Sequence, residues 1–257
     1  MIKEELKLKN IEHDTVHQRF EAKYIISEIT AAAIKKFIEP YMMYDKHSGG
    51  KPYVINSCYL DSADMRLYYS SSYGEKNRYK LRIRSYSEDP GQPIFFEIKR
   101  RVNGIILKQR AKTSKEVAKK VLIGETVSDD ELQHLDEKGL HNFYEFREMM
   151  ESINAGPKVM VRYLRDAYVS TFDDPVRITF DTNLAGLPSL HYDDNIWIYD
   201  NRWFTAPNVP VILEIKFTDT FPIWVNHLVQ YFHLPRTSFA KYIVCVDTLS
   251  EVGISLF

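Results

Sequence analysis

Cysteine is scarce in this chain. Cys58 and Cys245 are the only two, they lie far apart in the sequence, and each stands among apolar neighbours. This spacing excludes a disulfide framework and a CxxC metal pair, and it is typical of ordinary buried thiols. The eight histidines are scattered and form no HExxH motif, so neither a zinc site nor another metal cluster is expected.

Long apolar runs and a surplus of charge are missing as well. No run of about 18 apolar residues occurs, so no transmembrane helix is expected. Residues 1–16 are mostly charged and lack the apolar core of a signal peptide, which predicts a flexible tail and a cytoplasmic protein. Attachment to the inner face of a membrane through a partner protein stays open. The 34 basic and 35 acidic residues nearly cancel, which gives no support to a nucleic-acid partner.

Strands that alternate apolar and charged residues dominate what is present. In YKLRIRSY (79–86), Lys80, Arg82 and Arg84 share one face of a strand, while Leu81 and Ile83 share the other. Six further strands repeat this pattern. Their charged faces carry Arg19, Glu21 and Lys23; Glu97, Lys99 and Arg101; Lys108 and Arg110; Tyr163 and Arg165; Arg177, Thr179 and Asp181; and Glu214 and Lys216.

The helical and strand periodicities divide the chain into elements. Strands are predicted over residues 17–26, 53–61, 78–86, 94–101, 105–111, 158–170, 176–184 and 209–218. Helices are predicted over residues 28–39, 62–72, 113–124, 128–136, 141–153, 222–232 and 238–249. The aromatic run 191–204 is irregular and is expected to pack locally.

The charged strand faces allow two interpretations. An antiparallel sheet with its charged face in water is the simpler one, but solvated faces usually mix Ser, Thr, Gln and Glu, whereas these are mainly Arg and Lys. If helices pack on the apolar faces, the fold is α+β, a closed antiparallel barrel tunnel of about eight strands with helices outside. Its charged lumen must then hold water, counter-ions or a polyanion, because unpaired buried charge is costly.

A set of short motifs occurs in one order along the chain: RFEAKY (19–24), SCYLDS (57–62), KLRIRSY (80–86), FEIKRR (96–101), LKQR (107–110), VRYLRDAY (161–168), VRITFD (176–181), LEIKF (213–217) and SFAKY (238–242). Each motif is weak alone, but the ordered set resembles the VTC (vacuolar transporter chaperone) domain, a branch of the CYTH-like triphosphate tunnel metalloenzymes. The resemblance implies a single tunnel domain over residues 17–257.

The family resemblance also implies an activity. Polymerases of this kind transfer the terminal phosphate of ATP to a growing polyphosphate chain inside a basic, metal-dependent tunnel, so the implied partners are ATP and polyphosphate or pyrophosphate. Carried over by motif, the catalytic cations are Arg82, Arg84, Lys99, Arg165 and Arg177, and the phosphate-binding residues are Lys23, Lys108, Tyr163, Lys216 and Lys241. Glu214 is the implied ligand of Mn²⁺ or Mg²⁺, with Glu97, Glu21 and Asp181 as further candidates.

Two positions depart from the family pattern. Arg19 replaces the first carboxylate of the superfamily's ExExK pattern, which agrees with the VTC branch and disfavours the hydrolytic branches. Ala240 stands where the family usually has serine, so a hydroxyl that could contact phosphate is missing. A metal-dependent inorganic or nucleoside triphosphatase and a catalytically weak polyphosphate-binding regulatory domain therefore stay open as alternatives. The shortage of carboxylates favours transfer to phosphate, because water as the acceptor would need a base.

Overall fold

The computed structural model describes residues 19–46, 48–87, 89, 91–103, 105–172, 176–189, 203–218 and 220–256. The predicted tail (1–16) and most of the aromatic run 191–204 lie outside this part of the chain. Within it the strands are β1 Arg19–Ile26, β2 Met42–Tyr44, β3 Tyr53–Asp61, β4 Arg78–Ser85, β5 Ile94–Val102, β6 Ile105–Thr113, β7 Gly156–Ser170, β8 Arg177–Pro188, β9 Phe204–Thr205 and β10 Val211–Thr218. The helices are α1 Glu28–Ile38, α2 Arg66–Ser72, α3 Lys115–Leu122, α4 Asp129–Leu132, α5 Glu137–Ser152, α6 Ile223–Tyr231 and α7 Lys241–Glu251.

Every predicted helix and strand has a counterpart, with ends shifted by a few residues, although the helix predicted over 128–136 is reduced to the four residues of α4. The sequence pattern predicts neither β2 nor β9. Local chemistry explains several boundaries. The Ser27 side chain accepts a hydrogen bond from the Thr30 backbone amide and so starts α1. Asn103, in the turn between β5 and β6, has a positive φ of 49°, as expected for the tight hairpin that an Asn-Gly pair favours. In the described part of the chain, no helix combines the length and apolar character that a bilayer crossing requires.

Eight strands form one curled antiparallel sheet in the order β1-β10-β8-β7-β3-β4-β5-β6, with β2 added to β7 and β9 added to β8. The end strands β1 and β6 do not pair within the described residues, so the sheet is an open half-barrel. It nevertheless curls far enough that the Lys99 ammonium of β5 lies 3.8 Å from the Glu21 carboxylate of β1 across the concave face.

The prediction of a closed barrel is therefore wrong, and the free edge of β1 gives the physical reason. The backbone amide of Thr237 donates to the carbonyl of Lys23 at 2.9 Å. The Lys23 ammonium in turn donates to the carbonyl of Phe239 at 3.2 Å. The segment 236–240 thus occupies the edge that β6 would need for closure, which is one of the ways in which proteins protect an edge strand.

The convex face of the sheet is covered by helices, as expected. Phe143 and Phe146 of α5 stack on Phe96 of β5, with ring centroids 5.6 and 4.3 Å apart. Ile34 and Ile38 of α1 belong to a second fully buried cluster with the apolar residues of β1, β8 and β10. Full burial of each such side chain stabilises the fold by about 1.5–3 kcal/mol.

Helix α7 corrects the prediction that all helices pack outside, because it packs against the concave face. Tyr242 stacks on Tyr59 with ring centroids 4.7 Å apart, and Tyr59 projects from the same face as Arg82. Cys245 packs closely on β8: a Cβ placed on Gly186 would lie 2.9 Å from the Cβ of Cys245. α7 thus fills one part of the half-barrel and directs its N-terminus towards the remaining space.

Candidate functional site

The space that α7 leaves on the concave face is a cavity of about 1050 Å³. Its walls are strongly cationic. Twelve lysine and arginine side chains line it: Lys23, Arg78, Lys80, Arg82, Arg84, Lys99, Arg100, Arg101, Arg165, Lys216, Arg236 and Lys241. Among the described lining residues, only Glu21 and Glu214 carry a carboxylate. Helix α7 adds the partial positive charge of its N-terminus, since Ala240 and Lys241 lie in the same wall.

Glu97 organises the cations of β4, β5 and β6. Its carboxylate is fully buried and accepts hydrogen bonds from Arg82 Nε at 2.7 Å and from Arg110 Nη2 at 2.7 Å. The ammonium of Lys108 lies 3.0 Å away, and Arg84 Nη1 lies 3.7 Å away. Burial raises the pKa of Glu97, but the four cations outweigh it and hold the pKa far below its usual range. Glu97 is therefore a fixed anion that positions four side chains.

A second cluster joins β7, β8, β10 and α7. Arg165 donates to both oxygens of Asp181, with two bonds of 2.7 Å. Lys241 lies 2.7 Å from Asp181 and 2.8 Å from Glu214, and Lys216 lies 3.1 Å from the other oxygen of Glu214. Burial opposes the charge of Glu214, yet the surrounding cations, Lys241 first, lower its pKa well below the usual value.

Glu21 extends this cluster along β1. Lys23 lies 2.8 Å from its carboxylate, and Lys216 lies 4.0 Å away. Burial raises the pKa of Glu21, but Lys99, Lys23 and Lys216 together lower it to about 2. Glu21 and Glu214 are therefore ionised at neutral pH and share two lysines, because Lys23 is also 3.6 Å from Glu214.

Lys80 and Lys99 are the cations that a ligand anion would affect most. They face each other across β4 and β5. Burial, together with neighbouring cations, lowers the pKa of Lys99 to about 7 and the pKa of Lys80 to about 8. An anion bound between them would restore both charges, because it would offset the cost of burying them.

Three hydroxyl groups hold the arginines on their approach to the cavity. Tyr59 accepts from Arg82 Nη1 at 3.1 Å, Ser57 accepts from Arg84 Nε at 3.0 Å, and Tyr163 accepts from Arg84 Nη2 at 3.4 Å. The ammonium of Lys241 lies 4.8 Å above the ring of Tyr163. These contacts fix the guanidinium groups in place before any ligand arrives, which is what electrostatic preorganisation requires.

The family profile of the VTC domain matches residues 18–250. The chain belongs to the VTC domain family.

Other similarities of this VTC domain are weak. A structural alignment with a putative adenylate cyclase (bh2851) from Bacillus halodurans covers 87% of this chain and 94% of the cyclase chain, with 14% sequence identity and a TM-score of 0.48. An alignment with the PH1819 protein from Pyrococcus horikoshii OT3 covers 91% of this chain and 99% of the PH1819 chain, with 9% sequence identity and a TM-score of 0.45. At that level neither similarity bears on what the chain does. No curated protein sequence matches it significantly.

Most residues that the VTC pattern singled out come together in the cavity. Its walls contain Lys23, Arg82, Arg84, Lys99, Tyr163, Arg165, Glu214, Lys216 and Lys241, and Glu21 as well. Lys108 instead lies beside Glu97, and Arg177 is directed to Asp45, with Nη2 2.9 Å from Oδ2. The roles of all these residues stay predictions. The Arg19 side chain lies outside the described part.

Several residues of the VTC cavity are absent from the predicted set. Tyr59 and Arg78 lie on strands, so the two-residue alternation that selected Arg82 could have found them. The alternation does place Lys80 on the face of Arg82, but the family motif gives it no role. Arg110 contacts Glu97 and shares the face of Lys108 in the same way. Arg236 lies in the irregular segment before α7, where no periodic signal exists.

The four carboxylates proposed as metal ligands are not equivalent. Glu97 and Asp181 have fully buried side chains that are surrounded by Arg and Lys groups, so neither is available to an ion in the cavity. Glu214 and Glu21 line the cavity. Mg²⁺ commonly binds one or two carboxylates and completes its shell with substrate phosphates and water, which this pair fits. No cluster of three or more His, Cys, Asp or Glu occurs in the described ranges.

Proposed function

We propose that this VTC domain is a polyphosphate polymerase that uses ATP. The observation that supports this most directly is the composition of the cavity wall, where twelve cations face two carboxylates. Glu97 and Asp181 pair with some of these cations from behind the wall, and the positive charge that remains needs a polyanion or counter-ions. A triphosphate and the end of a polyphosphate chain together supply that charge in a narrow, extended form.

The proposed reaction joins two phosphates. A terminal oxygen of the polyphosphate chain attacks the γ-phosphorus of ATP, the bond from that phosphorus to the β–γ bridging oxygen breaks, and ADP leaves with the electron pair. The attacking phosphate oxygen is already ionised near neutral pH and needs no general base. Catalysis then consists mainly of positioning and charge neutralisation.

Four of the five implied catalytic cations suit that task. Arg82 and Arg84 are held by Glu97 and by hydroxyl groups, and Arg165 is held by Asp181. Guanidinium groups bind two phosphate oxygens at once, so such fixed groups can align a triphosphate. Lys99 of β5 lies opposite β4 and near Glu21 of β1, and its ammonium can neutralise charge that develops on the transferred phosphate. Arg177 supports the reaction only indirectly, because it pairs with Asp45.

Mn²⁺ or Mg²⁺ would be held by Glu214 with Glu21 and would neutralise phosphate oxygens. Neither carboxylate suits the activation of water, because the nearby lysines lower both pKa values and make the groups weak bases. This disfavours the triphosphatase alternative. Ala240, which lines the cavity where the family usually has a serine, favours as second candidate a regulatory domain that binds polyphosphate with little turnover.

The test is an incubation of the pure protein with ATP and Mn²⁺, followed by gel electrophoresis of the products. A ladder of polyphosphate supports the polymerase. Release of ADP and free phosphate alone contradicts it and favours a triphosphatase. Tight binding of polyphosphate without turnover supports the regulatory domain. Chelation of the metal is the control, since it should stop the ladder without removing the cationic cavity.

A further inference from the structure

A second, smaller cavity lies beside the cationic one, at the end of β1 and β10. Its volume is about 130 Å³, and three phenylalanines and one arginine dominate its walls: Phe20, Phe217, Phe221 and Arg236. The two cavities share Phe20, Glu21 and Arg236 as lining residues, so they adjoin each other at this end of β1. An anion in the cationic cavity therefore has an aromatic pocket next to it.

The rings in the small cavity form an ordered surface. Phe20 stacks on Phe217 with centroids 5.3 Å apart and planes 16° apart, and Phe221 meets Phe217 edge-on at 4.8 Å. Phe20 is nevertheless 40% exposed. A ring that is braced from one side and open on the other is a platform for stacking, since every nucleobase presents a flat π-face.

Arg236 supplies the second half of the pocket. It is exposed, and it lines both cavities. Its segment is anchored, because the neighbouring Thr237 hydrogen-bonds to the β1 backbone. A guanidinium plane stacks on aromatic rings and also attracts phosphate, so one residue at the junction can contact both parts of a nucleotide.

We infer that Phe20 and Arg236 form a nucleobase subsite, in which the base of a nucleoside triphosphate stacks while its phosphates extend past Glu21 into the cationic cavity. This inference rests on the proposed function and adds the recognition of the nucleoside. Stacking contacts the flat face of a base and forms no hydrogen bonds to its edges, where the bases differ in donors and acceptors. The subsite therefore accepts any base, with purines bound more tightly than pyrimidines because their rings cover more of Phe20.

The test compares two ligands that differ by the nucleoside. Calorimetry measures the Kd of ATP and of inorganic tripolyphosphate for the wild type, Phe20→Ala and Phe172→Ala. Phe172 is an exposed phenylalanine that lines neither cavity, so it controls for the truncation itself. Phe20→Ala should weaken ATP binding about tenfold, the usual effect of removing one stacking ring. Its tripolyphosphate binding, and both ligands with Phe172→Ala, should stay as in the wild type.

The possible outcomes separate the subsite from the function. Equal weakening of both ligands by Phe20→Ala, or no weakening of either, overturns the subsite and leaves the polymerase proposal standing. Failure of the wild type to bind either ligand overturns both. A second measurement avoids mutation: the fluorescence of etheno-ATP bound to the wild type should be protected from acrylamide, and quenching as fast as in free solution contradicts stacking.

Discussion

Two strands of the half-barrel carry the same three residues and use them differently. Glu97-Ile98-Lys99 in β5 and Glu214-Ile215-Lys216 in β10 both place the glutamate and lysine on the concave face. Glu97 is enclosed by four cations from β4 and β6 and is fully buried. Glu214 is also buried and has four cations around it, but it lines the cavity, whereas Glu97 does not.

The difference arises from the neighbouring strands. Glu97 lies directly opposite Arg82 on one side and Arg110 on the other. Glu214 lies opposite Lys23 on one side and the short, neutral Thr179 on the other. Two arginines lie directly opposite Glu97, which does not line the cavity, whereas Glu214 has a single cation directly opposite it and lines the cavity. Cross-strand partners thus decide whether a glutamate is an anchor or a candidate ligand.

The largest effect should come from removing the anchor. Glu97→Gln leaves Arg82 and Arg84, two buried cations, without their common anion. Breaking such a buried pair from one side costs about 3–5 kcal/mol. Urea denaturation should show this loss in the free energy of unfolding. A loss no larger than that of a typical surface substitution would contradict the anchoring role.

The matching change at the glutamate that lines the cavity should affect turnover instead. Glu214→Gln keeps the shape but removes the charge that would hold Mn²⁺, so polyphosphate synthesis should fall about 100-fold or more, as for loss of a key electrostatic contact. Polyphosphate binding should persist, because Lys23 keeps its ion pair with Glu21, and Arg165 and Lys241 keep theirs with Asp181. Binding is measured by calorimetry, and Mn²⁺ affinity by electron paramagnetic resonance. Unchanged Mn²⁺ affinity would exclude Glu214 as a ligand.

The pH dependence of polyanion binding tests the role of Lys99, the lysine that follows Glu97 in β5. In the free protein, burial lowers the pKa of Lys99 to about 7 and of Lys80 to about 8, and a bound polyanion raises both. Binding therefore takes up protons, so affinity is highest below about pH 7 and falls as the free lysines lose charge above it. One such group accounts for about a tenfold loss per pH unit at most.

Calorimetry with tripolyphosphate between pH 7 and pH 9 measures this dependence. The terminal phosphates of the ligand contribute the same slope with either protein, so the difference in slope between the wild type and a Lys99 variant reports the lysine. Lys99→Arg supplies the control, because arginine keeps its charge throughout this range, and the slope should become shallower. A slope identical to that of the wild type would show that Lys99 does not titrate on binding.

The sequence predicts much of this arrangement, because alternation along a strand is a local property. The common face of Arg82 and Arg84, or of Glu214 and Lys216, follows from spacing alone. The position of α7 does not, because the apolar face of Tyr242, Cys245 and Leu249 could equally cover the outside of a sheet. The edge of β1 is occupied because the Thr237 backbone amide donates to the Lys23 carbonyl and the Phe239 carbonyl accepts from the Lys23 ammonium. Backbone groups take part in both contacts, so the side-chain pattern of the sequence does not predict them.

Arg177 shows the same limit for a single residue. Alternation places it with Thr179 and Asp181, and the family motif includes it. Its partner Asp45 is 132 residues away, in a segment without regular periodicity. Only the folded chain reveals that this pair draws the arginine away from the cavity.

The smallest effect should come from a substitution of Ala240. This residue precedes α7, the helix whose Lys241 contacts Glu214. Ala240 is the N-cap of α7, with an extended backbone and no side-chain hydrogen bond to the helix. Ala240→Ser supplies that acceptor, so the free energy of unfolding should rise by about 1 kcal/mol in urea denaturation. Because Lys241 follows directly, a better-fixed first turn should also tighten tripolyphosphate binding slightly.

Ala240→Thr separates the cap from direct phosphate contact. Threonine caps helices somewhat less well than serine, but it offers the same hydroxyl. If both variants stabilise the protein while neither changes the Kd of tripolyphosphate, the hydroxyl acts on the helix alone. If the Kd falls without any gain in stability, the hydroxyl contacts the ligand instead, and its absence in this chain weakens phosphate binding directly rather than through α7.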